Sequence, residues 1–184
     1  MKKTLILLVA IIGSSILSKA QTTVSGSSTS GPSIHWMSIQ EAEKQNKKHP
    51  KKILIDTYTD WCGWCKRLDA TTWTDARIVD YVNKNYYAVK LNAETHDTIK
   101  YQGRVYTFNP AQRTNDIMAY LTDGKLSGYP TIIFLDESLN DLTIIPGYQA
   151  ADPMNNIVHY FGDNIYKTVD WTAYSSDPSK YLKN

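Results

Sequence analysis

The chain has 184 residues, a formal net charge of +2 and two cysteines. This length fits a single domain, and one cysteine pair excludes the disulfide-dense class of small secreted proteins. The charge does not indicate nucleic-acid binding, because without Lys2, Lys3 and Lys19 the formal charge falls from +2 to −1.

Residues 1–20 have the pattern of a secretory signal peptide. Lys2 and Lys3 precede a largely apolar run over residues 4–17, and small residues precede a possible cleavage site after Ala20. We therefore predict a cleaved leader and a periplasmic or secreted protein.

A membrane anchor is the alternative interpretation of this leader. The apolar run is shorter than the ~20 residues needed to span a bilayer, so we expect no stable membrane insertion after cleavage. Residues 21–33 are rich in Ser, Thr and Gly and predict a flexible lead into the domain.

The first half of the domain alternates helices and strands. Ser38 and Glu41 form a capping-box pattern, which predicts a helix to about Lys48. The later order predicts a βαβ unit with parallel strands. Its predicted elements are a strand at 52–59, a helix beginning near Cys62, a helix at 75–85 and a strand at 86–91.

The middle of the chain, about residues 93–128, shows a weaker pattern. Thr114 or Asn115 is the predicted cap of a short helix through Leu121. Four aromatic residues of this segment form either a surface for a partner or the packing that holds the segment on the domain. They are Tyr101, Tyr106, Phe108 and Tyr120.

The next part of the chain predicts a hairpin and a helix. Apolar runs at 131–135 and 142–145 are joined by a short polar turn, as in antiparallel strands. Asp152 predicts a helix cap, with Pro153 at the first helical position and an end near Thr168.

Both cysteines, Cys62 and Cys65, lie in the sequence DTYTDWCGWCKRLD, directly after the first predicted strand. They could form a reactive dithiol, half of a metal site, or a structural crosslink. A crosslink would close a loop too short to restrain much of the unfolded chain. A zinc or copper site would need two further ligands, and no two histidines have ligand spacing. The histidines are His35, His49, His96 and His159.

The segment ILIDTYTDWCGWCK, from Ile53 to Lys66, resembles the active-site strand and loop of the thioredoxin family. YPT at residues 129–131 resembles the segment that holds this family's cis-proline. Secreted thioredoxin-like proteins with a WCGWCK site are similar, as is the C-terminal thioredoxin-like domain of the periplasmic thiol:disulfide electron carrier. Trp64 departs from the family, which usually has proline between the cysteines.

The resemblance implies an α/β thioredoxin fold, with a central mixed β-sheet flanked by helices. It assigns residues 34–168 to the thioredoxin-like domain, with an insertion at about 93–128 before the cis-Pro strand. Residues 169–184 form a C-terminal tail without a clear period.

The same resemblance implies a protein thiol-disulfide oxidoreductase. Cys62 would attack as a thiolate at a helix N-terminus, and Cys65 would resolve the mixed disulfide. Asp56 would accept or relay the Cys65 proton. A strand carboxylate facing water is the alternative for Asp56, but the three apolar residues before it favour burial.

The implied substrate-binding residues surround the cysteines. A cis bond before Pro130 would leave the Tyr129 backbone free to pair with an extended peptide. The two tryptophans would form an apolar rim, unless Trp61 packs against the fold instead. The full set is Trp61, Gly63, Trp64, Tyr129 and Pro130.

The expected partners are protein substrates with disulfides or thiols and a separate redox partner, and the chain is expected to be a monomer. No cofactor beyond the dithiol, no metal and no nucleic acid is expected. The sequence favours a reductase or interchange role but does not fix the direction of electron flow. A partner-binding module that only keeps the fold is the alternative function.

Overall fold

The computed structural model describes residues 33–182, and the predicted leader and most of the predicted flexible lead lie outside this range. The α-helices are α1 (Ile39–Asn46), α2 (Gly63–Thr71), α3 (Ala76–Asn85), α4 (Ile117–Leu121), α5 (Ala151–Gly162) and α6 (Trp171–Ser176). The strands are β1 (Lys52–Tyr58), β2 (Tyr86–Asn92), β3 (Ile99–Tyr101), β4 (Arg104–Tyr106), β5 (Phe108–Asn109), β6 (Thr114–Asn115), β7 (Thr131–Leu135) and β8 (Asp141–Pro146). Short 3₁₀ turns cover Ile165–Lys167 and Pro178–Lys180.

The central sheet has four strands in the order β2-β1-β7-β8. The β1 and β2 strands are parallel, as the predicted βαβ unit requires, while β7 is antiparallel to both β1 and β8. The predicted α/β class with a mixed sheet flanked by helices is therefore confirmed.

Both faces of the sheet are covered, which explains the consecutive apolar residues of β1. Ile53 and Ile55 point into one hydrophobic cluster and Leu54 into the other, because side chains alternate along a strand. The first cluster includes residues of α1, α4 and the β3–β4 hairpin, and the second includes residues of α2, α3 and α5.

The two edges of the sheet are protected in different ways. Beside β2, Met37 forms a parallel bridge to Val89, and its N–H donates to the Ala88 carbonyl at 2.9 Å. The other edge strand, β8, begins at the exposed Asp141 and ends at the exposed Pro146, and its register with β7 shifts at a bulge.

The segment predicted to be an insertion, about residues 93–128, contains two short hairpins that the sequence pattern did not predict. The β3–β4 and β5–β6 pairs precede α4, and the insertion packs onto the first face of the sheet. Tyr101 and Tyr106 are 1% and 7% exposed, so the packing interpretation is correct for these two residues. Phe108 is half-buried and stacks on the exposed His96.

Asn115, one of the two residues predicted to cap α4, does cap it: its side chain accepts a hydrogen bond from the first turn, and the next residue already has helical dihedral angles. The residue before α4 is Asp116, and its side chain makes no capping hydrogen bond. Asn115 is fully buried, accepts from the Ile117 N–H at 3.2 Å and donates to the carbonyls of Thr95 and Asp97. It therefore joins the start of α4 to the first loop of the insertion.

The predicted limits of α5 were wrong at both ends. Ala150 is the cap residue, and Pro153 is the third helical position. Proline is tolerated there because first-turn N–H groups have no partner within the helix. The helix ends at Gly162, and Asn164 then adopts a left-handed conformation with φ of 61°.

The tail forms α6 and packs beside α5. Tyr174 is fully buried, contacts Tyr160 and donates to the Asn156 carbonyl at 3.1 Å. None of the helices between residues 33 and 182 is long and apolar enough to cross a membrane.

Candidate active site

Cys62 and Cys65 lie where β1 meets α2, and a disulfide joins them. Cys62 is the N-cap residue of α2, and its sulfur accepts a hydrogen bond from the Cys65 N–H at 3.0 Å. Cys62 and Cys65 are 4% and 2% exposed, so neither side chain is freely accessible in the oxidised form.

The N-terminus of α2 is suited to a negatively charged sulfur. The first-turn N–H groups of a helix point toward its N-cap, and the helix dipole places partial positive charge there. A Cys62 thiolate would receive the hydrogen bond that the disulfide sulfur already accepts. The expected consequence is a lowered pKa for the Cys62 thiol in the reduced protein.

Asp56 is buried inside the sheet, as predicted, and does not face water. Its Oδ2 atom accepts from the Trp73 indole N–H at 2.8 Å and from the Lys90 ammonium at 2.6 Å. Its Oδ1 atom is buried without a hydrogen-bond partner among the described residues. A buried carboxyl oxygen without a donor is the natural position for a proton.

The charges around Asp56 form a chain of three groups. Burial raises the pKa of Asp56 above its usual value, although Lys90 and Trp73 oppose that shift. Burial lowers the pKa of Lys90, but attraction to Asp56 and Asp69 outweighs burial and leaves it raised. Lys90 also pairs with the exposed carboxylate of Asp69 on α2. Asp56 and Lys90 therefore both bind their protons more tightly than usual.

Tyr129 and Pro130 lie immediately before β7, and the peptide bond between them is cis, as the resemblance implies. The Pro130 carbonyl accepts from the Gly147 N–H at 2.8 Å. Neither the N–H nor the carbonyl of Tyr129 is hydrogen-bonded to another residue in the range 33–182. The backbone of Tyr129 is thus available to an incoming strand.

Trp61 projects from the surface beside the cysteines and is 66% exposed. Its indole N–H lies 3.0 Å from both carboxylate oxygens of Glu94, and its ring contacts Tyr129 edge-on at 6.1 Å. Trp61 is thus largely exposed and is not packed into the fold, although Glu94 restrains its indole.

Trp64 is also exposed, at 58%, and lies against Tyr148 with 5.5 Å between the ring centroids. The guanidinium of Arg67 lies over both rings. Gly63, between the two cysteines, is exposed, and a Cβ atom there would meet no atom within 4 Å. Packing within this chain therefore does not require glycine at position 63.

The histidines do not complete a metal site with the cysteines. Within residues 33–182, no group of three or more His, Cys, Asp or Glu side chains has a metal-binding arrangement. His96 stacks on Phe108, and His159 pairs with Asp163 at 2.9 Å.

Sequence reasoning missed several residues that shape this site. Lys90 had a usable signal, because a lysine within an otherwise apolar strand must find a partner, and the parallel register places it opposite Asp56. Trp73, Glu94 and Tyr148 had no local signal, since each reaches the site from a distant part of the chain.

The fold and the cysteine geometry define a class of protein. Residues 39–162 match the family described as thioredoxin-like domain, and the chain belongs to this family.

Among curated proteins, the chain is similar to the thiol:disulfide interchange protein DsbD of several bacteria. It is 31% identical to that of Actinobacillus pleuropneumoniae over 116 residues, which cover 62% of this chain and 17% of the relative. It is 26% identical to that of Photorhabdus laumondii over 123 residues, which cover 66% of this chain and 18% of the relative. The chain thus spans less than a fifth of the length of these relatives.

Solved structures share the fold. A thioredoxin-fold protein from Helicobacter pylori superposes with a TM-score of 0.53 at 16% identity, covering 72% of this chain and 82% of the other. A putative disulphide-isomerase from Bacteroides thetaiotaomicron superposes with a TM-score of 0.50 at 24% identity, covering 71% of this chain and 92% of the other.

Proposed function

We propose that this protein is a thiol-disulfide oxidoreductase that acts on protein disulfides through Cys62 and Cys65. The proposal depends mainly on one observation: the Cys62–Cys65 pair lies at the N-terminus of α2, and the Cys65 N–H is directed at the Cys62 sulfur. Membership of the thioredoxin-like family and similarity to proteins named for thiol:disulfide interchange support the proposal.

The proposed reaction begins with the reduced dithiol. The Cys62 thiolate attacks one sulfur of a substrate disulfide, forms a mixed disulfide and releases the other substrate sulfur as a thiolate. The Cys65 thiolate then attacks the Cys62 sulfur, which closes the Cys62–Cys65 bond and releases the second substrate thiolate. Two electrons pass to the substrate, and the two protons of the dithiol finally reside on the released thiols or in solvent.

Asp56 is proposed to assist the second step. Cys65 must lose its proton before it can attack, and the unpaired Oδ1 of Asp56 offers a buried place for a proton. Lys90 holds the other carboxylate oxygen at 2.6 Å, so the carboxyl group is fixed while its charge changes. Asp56 thus acts as a positioned proton acceptor or relay.

The surface around Cys62 is proposed to hold an extended segment of the substrate. The free N–H and carbonyl of Tyr129 provide main-chain hydrogen bonds of the kind formed when a strand is added. Pro130 holds this backbone in place, and Trp61, Gly63 and Trp64 provide the contact surface on either side of the attacking sulfur.

The direction and place of the reaction are further parts of the proposal. A reductase or interchange role fits the name of the DsbD relatives, thiol:disulfide interchange protein, and it requires an external dithiol donor that re-reduces the Cys62–Cys65 bond. The signal-like pattern of residues 1–20 supports action in a periplasmic or secreted location. We expect protein thiols as partners and a monomeric chain.

The experiment that tests the assignment traps the intermediate. A Cys65→Ser variant should accumulate mixed disulfides with protein substrates, because no second thiol remains to release them. These adducts would appear on non-reducing gels and vanish on adding dithiothreitol. A Cys62→Ser variant is the matched control and should form few adducts. Equal trapping by the two variants would show that the assigned roles are wrong.

A further inference from the structure

Arg67 on α2 lies against a pair of aromatic rings whose centroids are 5.5 Å apart. Its guanidinium carbon lies 5.6 Å from the ring centroid of Trp64 and 5.7 Å from that of Tyr148. Trp64 and Arg67 are three residues apart and share a face of α2, whereas Tyr148 comes from the loop between β8 and α5. We call these three residues the Arg67 clamp.

A hydrogen bond fixes the far side of the clamp. The Thr71 hydroxyl donates to the Arg67 carbonyl at 2.8 Å, and the Tyr148 hydroxyl lies 3.1 Å from the Thr71 oxygen. Because Thr71 has only one hydroxyl hydrogen, Tyr148 is the donor in the second contact. The ring that stacks on Arg67 is thereby tied to the same helix.

The guanidinium of Arg67 has no carboxylate partner among residues 33–182. The carboxylates of the neighbouring elements are engaged elsewhere, since Asp69 pairs with Lys90 and Asp152 pairs with Arg77. Arg67 is therefore an exposed cation, and a guanidinium has five N–H donors, so donors remain for a ligand even where one N–H bonds the Tyr148 hydroxyl.

The clamp lies on the helix whose N-cap is Cys62, about one and a half turns further along its axis. Arg67 is five residues after Cys62, which corresponds to ~7.5 Å along a helix axis. An extended peptide advances ~3.3 Å per residue, so this distance corresponds to about two residues of substrate. Trp64, between the two positions, offers 58% of its surface to such a peptide.

We propose that the Arg67 clamp is a specificity site for protein substrates that carry a carboxylate two residues from the cysteine that reacts with Cys62. A planar guanidinium binds a carboxylate through two parallel hydrogen bonds, and an arginine already held in place loses less rotamer freedom on binding. This inference rests on the disulfide exchange proposed above and adds the class of substrate.

The test compares matched peptides in single-turnover reactions of the pre-reduced protein. Each peptide carries its cysteine as a mixed disulfide with 2-mercaptoethanol and has either Glu or Gln two residues away, on the N-terminal or the C-terminal side. In one of the two orientations, the Glu peptide should react about threefold to tenfold faster than its Gln partner at low ionic strength, and added salt should reduce the ratio.

The variants are compared by this Glu/Gln ratio, because it cancels any change in the reactivity of Cys62 itself. Arg67→Gln should bring the ratio close to one, and Arg67→Lys should keep only part of it, since an ammonium lacks the planar pair of donors. Lys66→Gln is the matched control and should keep most of the ratio. Lys66 is the adjacent exposed cation, and no stacking on an aromatic ring is seen for it within the described range.

Each outcome identifies which proposal fails. A wild-type ratio of one in both orientations, with all peptides reacting, would overturn the clamp but leave the exchange reaction intact. If the Glu/Gln ratio fell equally in the Arg67→Gln and Lys66→Gln variants, general positive charge near Cys62 would explain the preference. That result would also overturn the clamp. If the reduced protein reacts neither with the peptides nor with the neutral hydroxyethyl disulfide, the exchange reaction itself is wrong, and the clamp falls with it.

Discussion

Asp56 shows how burial, charge and one unpaired atom act together at a single residue. Burial raises the pKa of this carboxyl group, and Lys90 only partly opposes the shift. The folded protein therefore binds a proton more tightly at Asp56 than the unfolded chain does. Linkage then requires stability to fall as the pH rises from the usual pKa of aspartate through the raised pKa of the folded state.

An Asp56→Asn variant should remove this loss of stability. At pH values above the raised pKa of Asp56, we expect the free energy of unfolding of the oxidised variant to exceed that of the wild type by about 1 to 3 kcal/mol. The amide side chain of the variant would keep an acceptor for Trp73, and Lys90 would keep Asp69 as a partner. Urea unfolding at a series of pH values measures the difference.

The pH dependence is the decisive part of that measurement. The advantage of the Asp56→Asn variant should be small at acidic pH and should grow as the pH rises. Asp80→Asn, which changes an exposed aspartate on α3, is the matched control and should show no such growth. A difference between Asp56→Asn and wild type that is constant with pH would contradict the explanation.

Gly63 gives a second prediction at the scale of one residue. A Cβ atom at this position meets nothing within 4 Å in the chain, and alanine is a better helix former than glycine. Gly63→Ala should therefore leave stability unchanged or raise it by up to about 1 kcal/mol. If a substrate packs against this position, exchange with a protein disulfide should slow several-fold, and exchange with hydroxyethyl disulfide should slow less. Equal slowing with both substrates would argue against contact at Gly63.

The insertion shows what local patterns hide at the scale of elements. Its hairpins have only two or three residues per strand, too few for a period of two to be visible. Tyr101 is nevertheless in the same hydrophobic cluster as Ile53 and Ile133 of the central sheet. The insertion is thus part of the core of the protein, not an addition to its surface.

This integration predicts an unequal response to two substitutions in one hairpin. Tyr101→Ala should lower the free energy of unfolding by about 3 to 5 kcal/mol, as for other large buried side chains. Val105→Ala, at a site 63% exposed in β4, should change it by less than about 0.5 kcal/mol. Denaturant unfolding of both variants measures this contrast. Similar small effects would mean that the insertion folds apart from the core.

The long elements were predictable because their patterns are local. The parallel β1–β2 pairing and the β7–β8 hairpin follow from consecutive apolar runs and from the connections between them. The start of α5 was not predictable, because Pro153 fits the third helical position as well as the first.

The candidate site divides in the same way. Asp56 lies within a clear strand and Cys62 and Cys65 follow it closely, so the motif was sufficient to select all three as candidates. Glu94 and Tyr148 reach the site only through tertiary packing. Their contacts with Trp61 and Trp64 depend on loop conformations, which hydrophobic periodicity does not predict. Long-range contacts of this kind are invisible in a single sequence.

The molecule as a whole extends past the part that matches the family. The family match ends at residue 162, whereas Tyr174 is fully buried and Tyr160 donates to the Val169 carbonyl at 2.8 Å. A third cluster, built on Tyr160, Ile165 and Tyr174, therefore joins the tail to α5.

Removing residues 169–184 should destabilise the entire protein. The loss of Tyr174 alone should cost about 3 to 5 kcal/mol, because its site on α5 would be left open to water. Urea unfolding of the truncated chain should show one transition at a clearly lower midpoint. An unchanged midpoint would mean that the tail is only loosely attached. Lys180→Ala, at an exposed position of the tail, is the control for nonspecific effects.

The unpaired backbone N–H and C=O groups of an edge strand can pair with a strand of another chain and so extend the sheet. In this protein Met37 pairs with the edge strand β2. The other edge strand, β8, begins at Asp141, ends at Pro146 and pairs with β7 through a bulge. A second molecule finds no long, flat row of donors and acceptors on which to stack among the described residues. At high concentration we therefore expect slow fibril growth, even though the interior strands are among the most apolar segments of the chain.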